Sequence, residues 1–289
     1  MGYKNFKVTS FDGLELSCRK WSPDGPVRAR ALYLHGYSEF LDCYLDWFPL
    51  VNAIGIEVIM YDQRGHGQTA RSHDDYGVSN DEKTFGDLEA MVDYATTDYT
   101  GKLILWGFSM GGALVLNYMV IGKQKERFDL YISIAPFIEP DSHVKQGLAG
   151  WKIYFLPWLA YFWPHYCQTL DLYPEMLTND PQKWEPYRHQ PHRHLRLTLE
   201  FMNDGINRGR RLLDPKFNKN IVDRPLLLSH STDDWACEFD ASKKFIEIAP
   251  LSDKTLDVYT GLPHELMQCL EKDRMEHWRR EKTWLKARL

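Results

Sequence analysis

The stretch LILWGFSMGGALVLNYM, residues 103–119, constrains this chain more than any other. An apolar run with a strand pattern ends at Gly107, a single Ser109 follows, and past Gly111 an equally apolar run takes up a helix pattern. The spacing G-x-S-x-G at such a junction has a mechanical meaning. A sharp strand-to-helix turn forces the serine into strained backbone geometry, and the flanking glycines leave room because they lack Cβ. Ser109 Oγ is then exposed at the carboxyl edge of a sheet, with the following helix N-terminus aimed at the same point. The backbone N–H of Met110 becomes one oxyanion donor.

The rest of the chain supplies a sheet to hold that turn. Short β-rich runs at Phe6–Ser10, Leu14–Trp21, Ala29–Leu34, Glu57–Tyr61, Lys102–Trp106, Leu130–Ile134, Pro225–Ser229 and Thr255–Tyr259 alternate with helical patterns near 39–54, 83–97, 110–122, 239–248 and 265–287. This alternation predicts an α/β fold with a mostly parallel sheet of about eight strands, flanked by helices. Phe11-Asp12-Gly13 is a turn signal, so the first two strands should form an antiparallel hairpin. The alternation breaks between about 140 and 216, which hold 8 of the 15 prolines. That segment reads as a helical insertion after the sixth strand and not as more sheet. At 289 residues the chain suits one large core, divided here into 1–139, a 140–216 cap and 217–289.

A serine nucleophile needs a base, and the base needs an acid to orient it. LDVYTGLPHEL supplies His264 on the loop past the last strand, and PLLLSHSTDDWAC supplies Asp233 and Asp234 past the preceding one. Asp234 is the expected acid and Asp233 the alternative; Glu139 and Asp141, at the opening of the insertion, are a remote third. In LYLHGYSEF an apolar strand ends at His35-Gly36, and the N–H of Tyr37 can face the same oxyanion as that of Met110. His35 itself reads as a structural loop histidine. In MYDQRGHGQT an Asp62–Arg64 pair is expected to brace the neighbouring loop.

With these residues placed, the sequence resembles the α/β-hydrolases and, among them, the monoglyceride lipases, particularly their fungal branch. The resemblance spans nearly the whole chain. It rests on His35-Gly36, the DQRGHG segment Asp62–Gly67, WGFSMGG from Trp106 to Gly112, the acid loop at Asp234, and Tyr259, Gly261 and His264. It implies the α/β-hydrolase fold and hydrolysis of monoacylglycerol or a related lipid ester. Ser109 would attack, His264 would carry the proton, Asp234 would fix the imidazole tautomer, and no metal or organic cofactor would be needed. Cys237 would lie near the alcohol-product side of the substrate site. The family usually has glycine where this chain has Ser231. A lysophospholipase or serine aminopeptidase of the same fold is the alternative, and a non-catalytic binding protein a more distant one.

Other features narrow the setting. A net charge of −5 gives no reason to expect nucleic acid as a partner. Five singly scattered cysteines point to a reducing compartment, with no zinc or disulfide pattern. MGYKNFKVTS has no apolar signal region, and Phe6 stands where a myristoylation site wants Ser or Thr. His189, His192 and His194 in YRHQPHRH read as a solvated cap loop. Of the 10 Trp, 16 Tyr and 14 Phe, eight fall in GWKIYFLPWLAYFWPHY, residues 150–166, whose apolar run from Ile153 to Trp163 is too short to span a membrane. That segment is expected to be a lid broken into short pieces by Pro157 and Pro164, with Trp158 and Phe162 meeting the lipid substrate. A cytoplasmic protein associating peripherally with membranes or lipid droplets through the cap is the resulting expectation.

Overall fold

The computed structural model of the chain describes residues 2–142, 151–170, 172–190 and 192–289. Ten strands alternate with helices along the described chain. The strands are β1 (Tyr3–Thr9), β2 (Glu15–Trp21), β3 (Ala29–Leu34), β4 (Ile56–Tyr61), β5 (Lys102–Phe108), β6 (Leu130–Ile134), β7 (Cys167–Thr169), β8 (Arg196–Thr198), β9 (Leu226–Ser231) and β10 (Lys254–Tyr259). The helices are α1 (Phe48–Asn52), α2 (Asp81–Thr96), α3 (Met110–Ile121), α4 (Trp151–Phe162), α5 (Pro174–Leu177), α6 (Pro181–His189), α7 (Leu199–Leu212), α8 (Pro215–Asn218), α9 (Phe239–Ile248) and α10 (Glu271–Lys286).

Eight strands form one sheet in the order β1-β2-β4-β3-β5-β6-β9-β10. β1 pairs antiparallel with β2, as the Phe11-Asp12-Gly13 turn requires, and β2 pairs antiparallel with β4. From β4 to β10 every pair is parallel. The reason β5 reads as an unbroken apolar run is that both faces of the sheet are covered. Leu103 and Leu105 enter the core beneath α2, α3 and α9. Ile104, Trp106 and Phe108 enter the opposite core, against α1 and α10. α3 is apolar all round because it is enclosed: every residue from Met110 to Val120 is buried. Parallel β3, β5, β6, β9 and β10 bring their following loops to one edge, and the reactive residues lie there.

The insertion rises over that edge. It contains α4 to α7, and also a two-stranded antiparallel ribbon of β7 and β8 that the proline-rich composition had hidden. The expectation that Pro157 breaks the aromatic segment is corrected, because α4 runs through it from Trp151 to Phe162. Pro157 lies on the exposed side, where the carbonyl its ring leaves unbonded can turn to water. The expectations for Gly150 and for the side chains of residues 151–153 lie outside the described residues. α7 ties the insertion to the sheet: Leu199 and Ile206 pack under α4, while Leu212 belongs to the main core.

Candidate active site

The nucleophile position is made by backbone. β5 ends at Phe108 and α3 begins at Met110, so Ser109 alone makes the turn, at φ 54° and ψ −115°. The Ser109 N–H donates to the Ile134 carbonyl at 2.8 Å, and its own carbonyl accepts from Ala113 and Phe137 at 3.0 Å each. A side chain at Gly107 would strike the Gly111 carbonyl, and one at Gly111 would strike that of Leu34. Close approach of backbone therefore demands both glycines. A non-glycine residue at this φ is strained, and three bonds over-determine it.

Two loops bring the proton relay to that serine. His264 Nε2 stands 2.9 Å from Ser109 Oγ, and His264 Nδ1 stands 2.6 Å from Asp234 Oδ2. Asp234 Oδ1 accepts the Ala236 and Cys237 N–H groups at 2.8 and 2.9 Å. His230 Nε2 lies 3.0 Å from Asp234 Oδ2, while its Nδ1 meets Ser242 Oγ at 2.7 Å. A carboxylate only accepts, so His230 Nε2 carries the proton in this bond. Burial alone would raise the Asp234 carboxyl, but the His264 charge and the hydrogen bonds from His230 and His264 hold it far below the usual carboxylate range. Burial also works against a charged His264. The Asp234 carboxylate more than offsets it, and the imidazole stands above its usual 6.5.

The choice between the two acids follows from these contacts. Asp233 is exposed and turns to Thr232 and to the Gly261 N–H, 2.6 Å away, so it stabilises the histidine loop from outside. Ser231, in place of the family's glycine, donates from Oγ to the Leu262 carbonyl at 2.5 Å and accepts the Asp233 N–H at 3.2 Å. It thus ties the acid loop to the histidine loop. Glu139 and Asp141 meet the acid loop through backbone bonds to Glu238 and Ala236.

Tyr37 and Met110 border the same cavity as Ser109. Met110 is the first residue of α3, so its N–H has no intrahelical acceptor and is free for an oxyanion. The Tyr37 loop is pinned through Glu39, whose Oε2 accepts from the Gly36 N–H and the Tyr44 hydroxyl at 2.6 Å each. His35 is structural, as expected. Its Nε2 accepts the Gln63 N–H at 2.9 Å, and burial lowers its pKa to about 3.

The Asp62–Arg64 pair is corrected: both residues brace the loop, but with different partners. Asp62 accepts the Leu41 and Gln68 N–H groups, whereas Arg64 pairs with Asp87 and Asp12. The substrate contact expected of Trp158 and Phe162 is corrected too. These residues are 70% and 56% exposed on the outer side of α4 and do not border the cavity. Helical spacing explains it, because Leu156 and Ala160 take the inner face and pack on α7. Cys237 does border the cavity, fully buried, and burial followed by the Asp234 charge pushes its thiol well above the ordinary range. It is a wall, not a second nucleophile.

Asp234, Cys237 and His264 each bring a donor atom within 4.8 Å of the others, the one such group of possible metal ligands among the described residues. Its Asp–His contact is already the hydrogen bond of the relay. His189 pairs with Glu185 and His192 with the Tyr76 hydroxyl, so these two histidines face different partners. Apolar side chains from the cap, including Leu170, Leu197, Phe201, Met202 and Ile206, dominate the walls of the cavity. Sequence reasoning passed over Arg193 and Glu265, which also border it. Arg193 sat inside a histidine-rich stretch read as solvated, yet its side chain is only 7% exposed.

Chemically, the arrangement activates a hydroxyl next to oxyanion donors in a water-poor cavity, the requirements of acyl transfer. The chain is similar to known proteins. Residues 25–273 match the family described as serine aminopeptidase, S33. The monoglyceride lipase of Saccharomyces cerevisiae is 30% identical over 92% of this chain and 87% of its own length. The human monoglyceride lipase is 26% identical over 90% of this chain and 82% of its own. A crystal structure of a soluble variant of the S. cerevisiae enzyme with a substrate analogue superposes with a TM-score of 0.93 at 27% identity, covering 100% of this chain and 95% of that one. From the strained serine, its relay and these likenesses together, the chain belongs to the α/β-hydrolase superfamily and, within it, to the monoglyceride lipase family.

Proposed function

We propose that this protein hydrolyses the ester bond of monoacylglycerol, releasing fatty acid and glycerol through an acyl-enzyme intermediate. The observation that carries the reading is the Ser109–His264–Asp234 relay at the floor of a cavity walled mostly by apolar cap residues, in a chain of this family. Ser109 attacks the ester carbonyl as His264 takes its proton, and the Tyr37 and Met110 N–H groups hold the oxyanion. His264 then protonates the leaving alcohol, and water repeats the sequence on the acyl-enzyme.

The substrate resides in membranes and droplets, and we place the enzyme there as a peripheral visitor from the cytoplasm. Tyr154, Trp158, Tyr161, Phe162 and Trp163 on and just past α4 offer an aromatic face suited to the headgroup boundary. No helix among the described residues is long and apolar enough to cross a membrane. Five free cysteines suit a reducing compartment.

A substrate panel tests the activity. Monoacylglycerol, diacylglycerol, lysophosphatidylcholine and an aminoacyl arylamide are compared with wild type and Ser109→Ala. Monoacylglycerol should be preferred at least tenfold in kcat/KM. Preference for the lysophospholipid or the arylamide would overturn the reading.

A further inference from the structure

The cavity wall carries a buried guanidinium, that of Arg193, which ester cleavage leaves unused. Arg193 enters from the loop between α6 and β8 and is 7% exposed. Its Nη2 donates to Glu265 Oε1 at 2.9 Å, and the guanidinium stacks on the Tyr187 ring at 4.1 Å. Its Nη1 is buried and has no hydrogen-bond partner among the described residues, although Arg193 borders the cavity. A buried charged donor left unbonded is costly, and in a cavity wall it marks where the acceptor of a ligand belongs.

The position says which half of the substrate that acceptor is on. His264 hands its proton to the leaving oxygen, so the alcohol half lies against His264. Glu265 is the next residue, and Arg193 is bonded to it. The apolar cap side chains remain for the acyl half. The charge around Arg193 says what kind of alcohol fits. Two buried carboxyls, Glu265 and Glu39, face this one guanidinium, so this end has no surplus positive charge for an anion. Burial, followed by the Glu265 charge, pushes the Glu39 carboxyl up to about 7, and a further negative group would be resisted by the same crowding.

Building on the monoacylglycerol reading, we propose that Arg193 reads the leaving alcohol. Its Nη1 donates to a hydroxyl of an uncharged polyol, and Glu265 and Glu39 turn away alcohols that carry a phosphate. The test compares three esters of one fatty acid: the monoacylglycerol, the methyl ester without further hydroxyls, and the lysophosphatidate.

Wild type should favour monoacylglycerol over both others at least tenfold. In Arg193→Met the kcat/KM ratio of monoacylglycerol to methyl ester should fall by about 10- to 100-fold, the worth of a charged hydrogen bond. Arg193→Lys keeps a charge for Glu265 but lacks the planar fork that leaves a second nitrogen over for a ligand, so its ratio should fall as well. Rates are divided by the fraction of Ser109 labelled by a fluorophosphonate, which counts folded sites, and Arg193→Lys decides if Arg193→Met does not fold. An unchanged ratio in labelled Arg193→Lys would make Arg193 a cap fastener and overturn the proposal while leaving the monoacylglycerol reading standing. Lysophosphatidate turned over as fast as monoacylglycerol would overturn the charge argument. A wild type that cleaves the methyl ester but not monoacylglycerol would take down both readings.

Discussion

Ser109 owes its reactivity to a turn that excludes other backbone shapes, and Asp234 owes its role to four hydrogen bonds that Asp233, one residue away, does not have. Removing the hydroxyl with Ser109→Ala should lower kcat by about 10⁵-fold or more in a protein that melts like wild type, because the relay acts as a unit. Retention of a tenth of wild-type turnover would contradict the assignment. Asp234→Asn should cost about 10⁴-fold by favouring the wrong imidazole tautomer, and Asp233→Asn less than tenfold. The reverse order would move the acid. The pH dependence follows from the same contacts. His264 must be neutral to accept the serine proton, so kcat/KM is lost as pH falls through its pKa. Since the Asp234 carboxylate raises that pKa, the acidic limb should lie above 6.5 in wild type and move to lower pH in the residual activity of Asp234→Asn. An acidic limb that does not shift would remove Asp234 as the cause.

Helix α10 carries a pair of groups with no part in the relay, and it shows how one element can limit stability. His277 and Glu281 are fully buried under the sheet; His277 Nδ1 meets the Tyr259 hydroxyl at 3.0 Å, while its Nε2 and Glu281 Oε2, 3.7 Å apart, have no hydrogen-bond partner among the described residues. Burial lowers His277 to about 3 and pushes Glu281 well above 4.5, so burial opposes charge on both sides of the contact. The unfolded chain ionises Glu281 above about 4.5 while the folded one resists, so wild-type stability falls as pH rises past that point. Glu281→Gln should therefore melt higher than wild type at pH 8, by an amount on the order of 1–3 kcal/mol, and like wild type at pH 4. An equal offset at both pH values would mean packing, not ionisation, sets the difference. Other elements differ in how far they were legible beforehand. β5 and α3 could be read because a sheet covered on both faces leaves one continuous apolar signature, and the G-x-S-x-G turn admits few residues. Ser109, His264 and Asp234 could be found because each follows a strand on a loop. His230, Ser231 and Arg193 could not, since their roles come from partners far along the chain: Ser242, Leu262 and Glu265. The β7–β8 ribbon was hidden because three-residue strands are too short for a periodic pattern.

At the scale of the whole molecule, the sheet, the cavity and the cap are stacked in one direction. The strands deliver Ser109 and His264 to the carboxyl edge, α7 lays Phe201, Met202 and Ile206 over them, and α4 lies on α7 through Leu156 and Ala160. One helix layer therefore separates the cavity from the aromatic face of α4, where Tyr154 and Tyr161 are each 81% exposed. Large exposed aromatic patches are uncommon on soluble proteins and usually mark a partner surface. Here the patch lies on the outside of the cap, over the helix that roofs the cavity. If α4 docks at a lipid surface, Trp158→Ser with Phe162→Ser should weaken flotation with liposomes and slow hydrolysis of monoacylglycerol dispersed in lipid. Thermal stability should hold, since both side chains are largely outside the core. Flotation should depend little on salt, because interfacial burial of aromatics is not a screened Coulomb interaction and no Lys, Arg, Asp or Glu occurs from Tyr154 to Phe162. A short-chain ester in solution separates the two functions of the cap, for it needs the relay but not the surface. Its hydrolysis should survive the double substitution. Equal loss on soluble and dispersed esters, or undiminished flotation, would mean that the aromatic face serves the fold or another partner and that lipid reaches Ser109 by a different side.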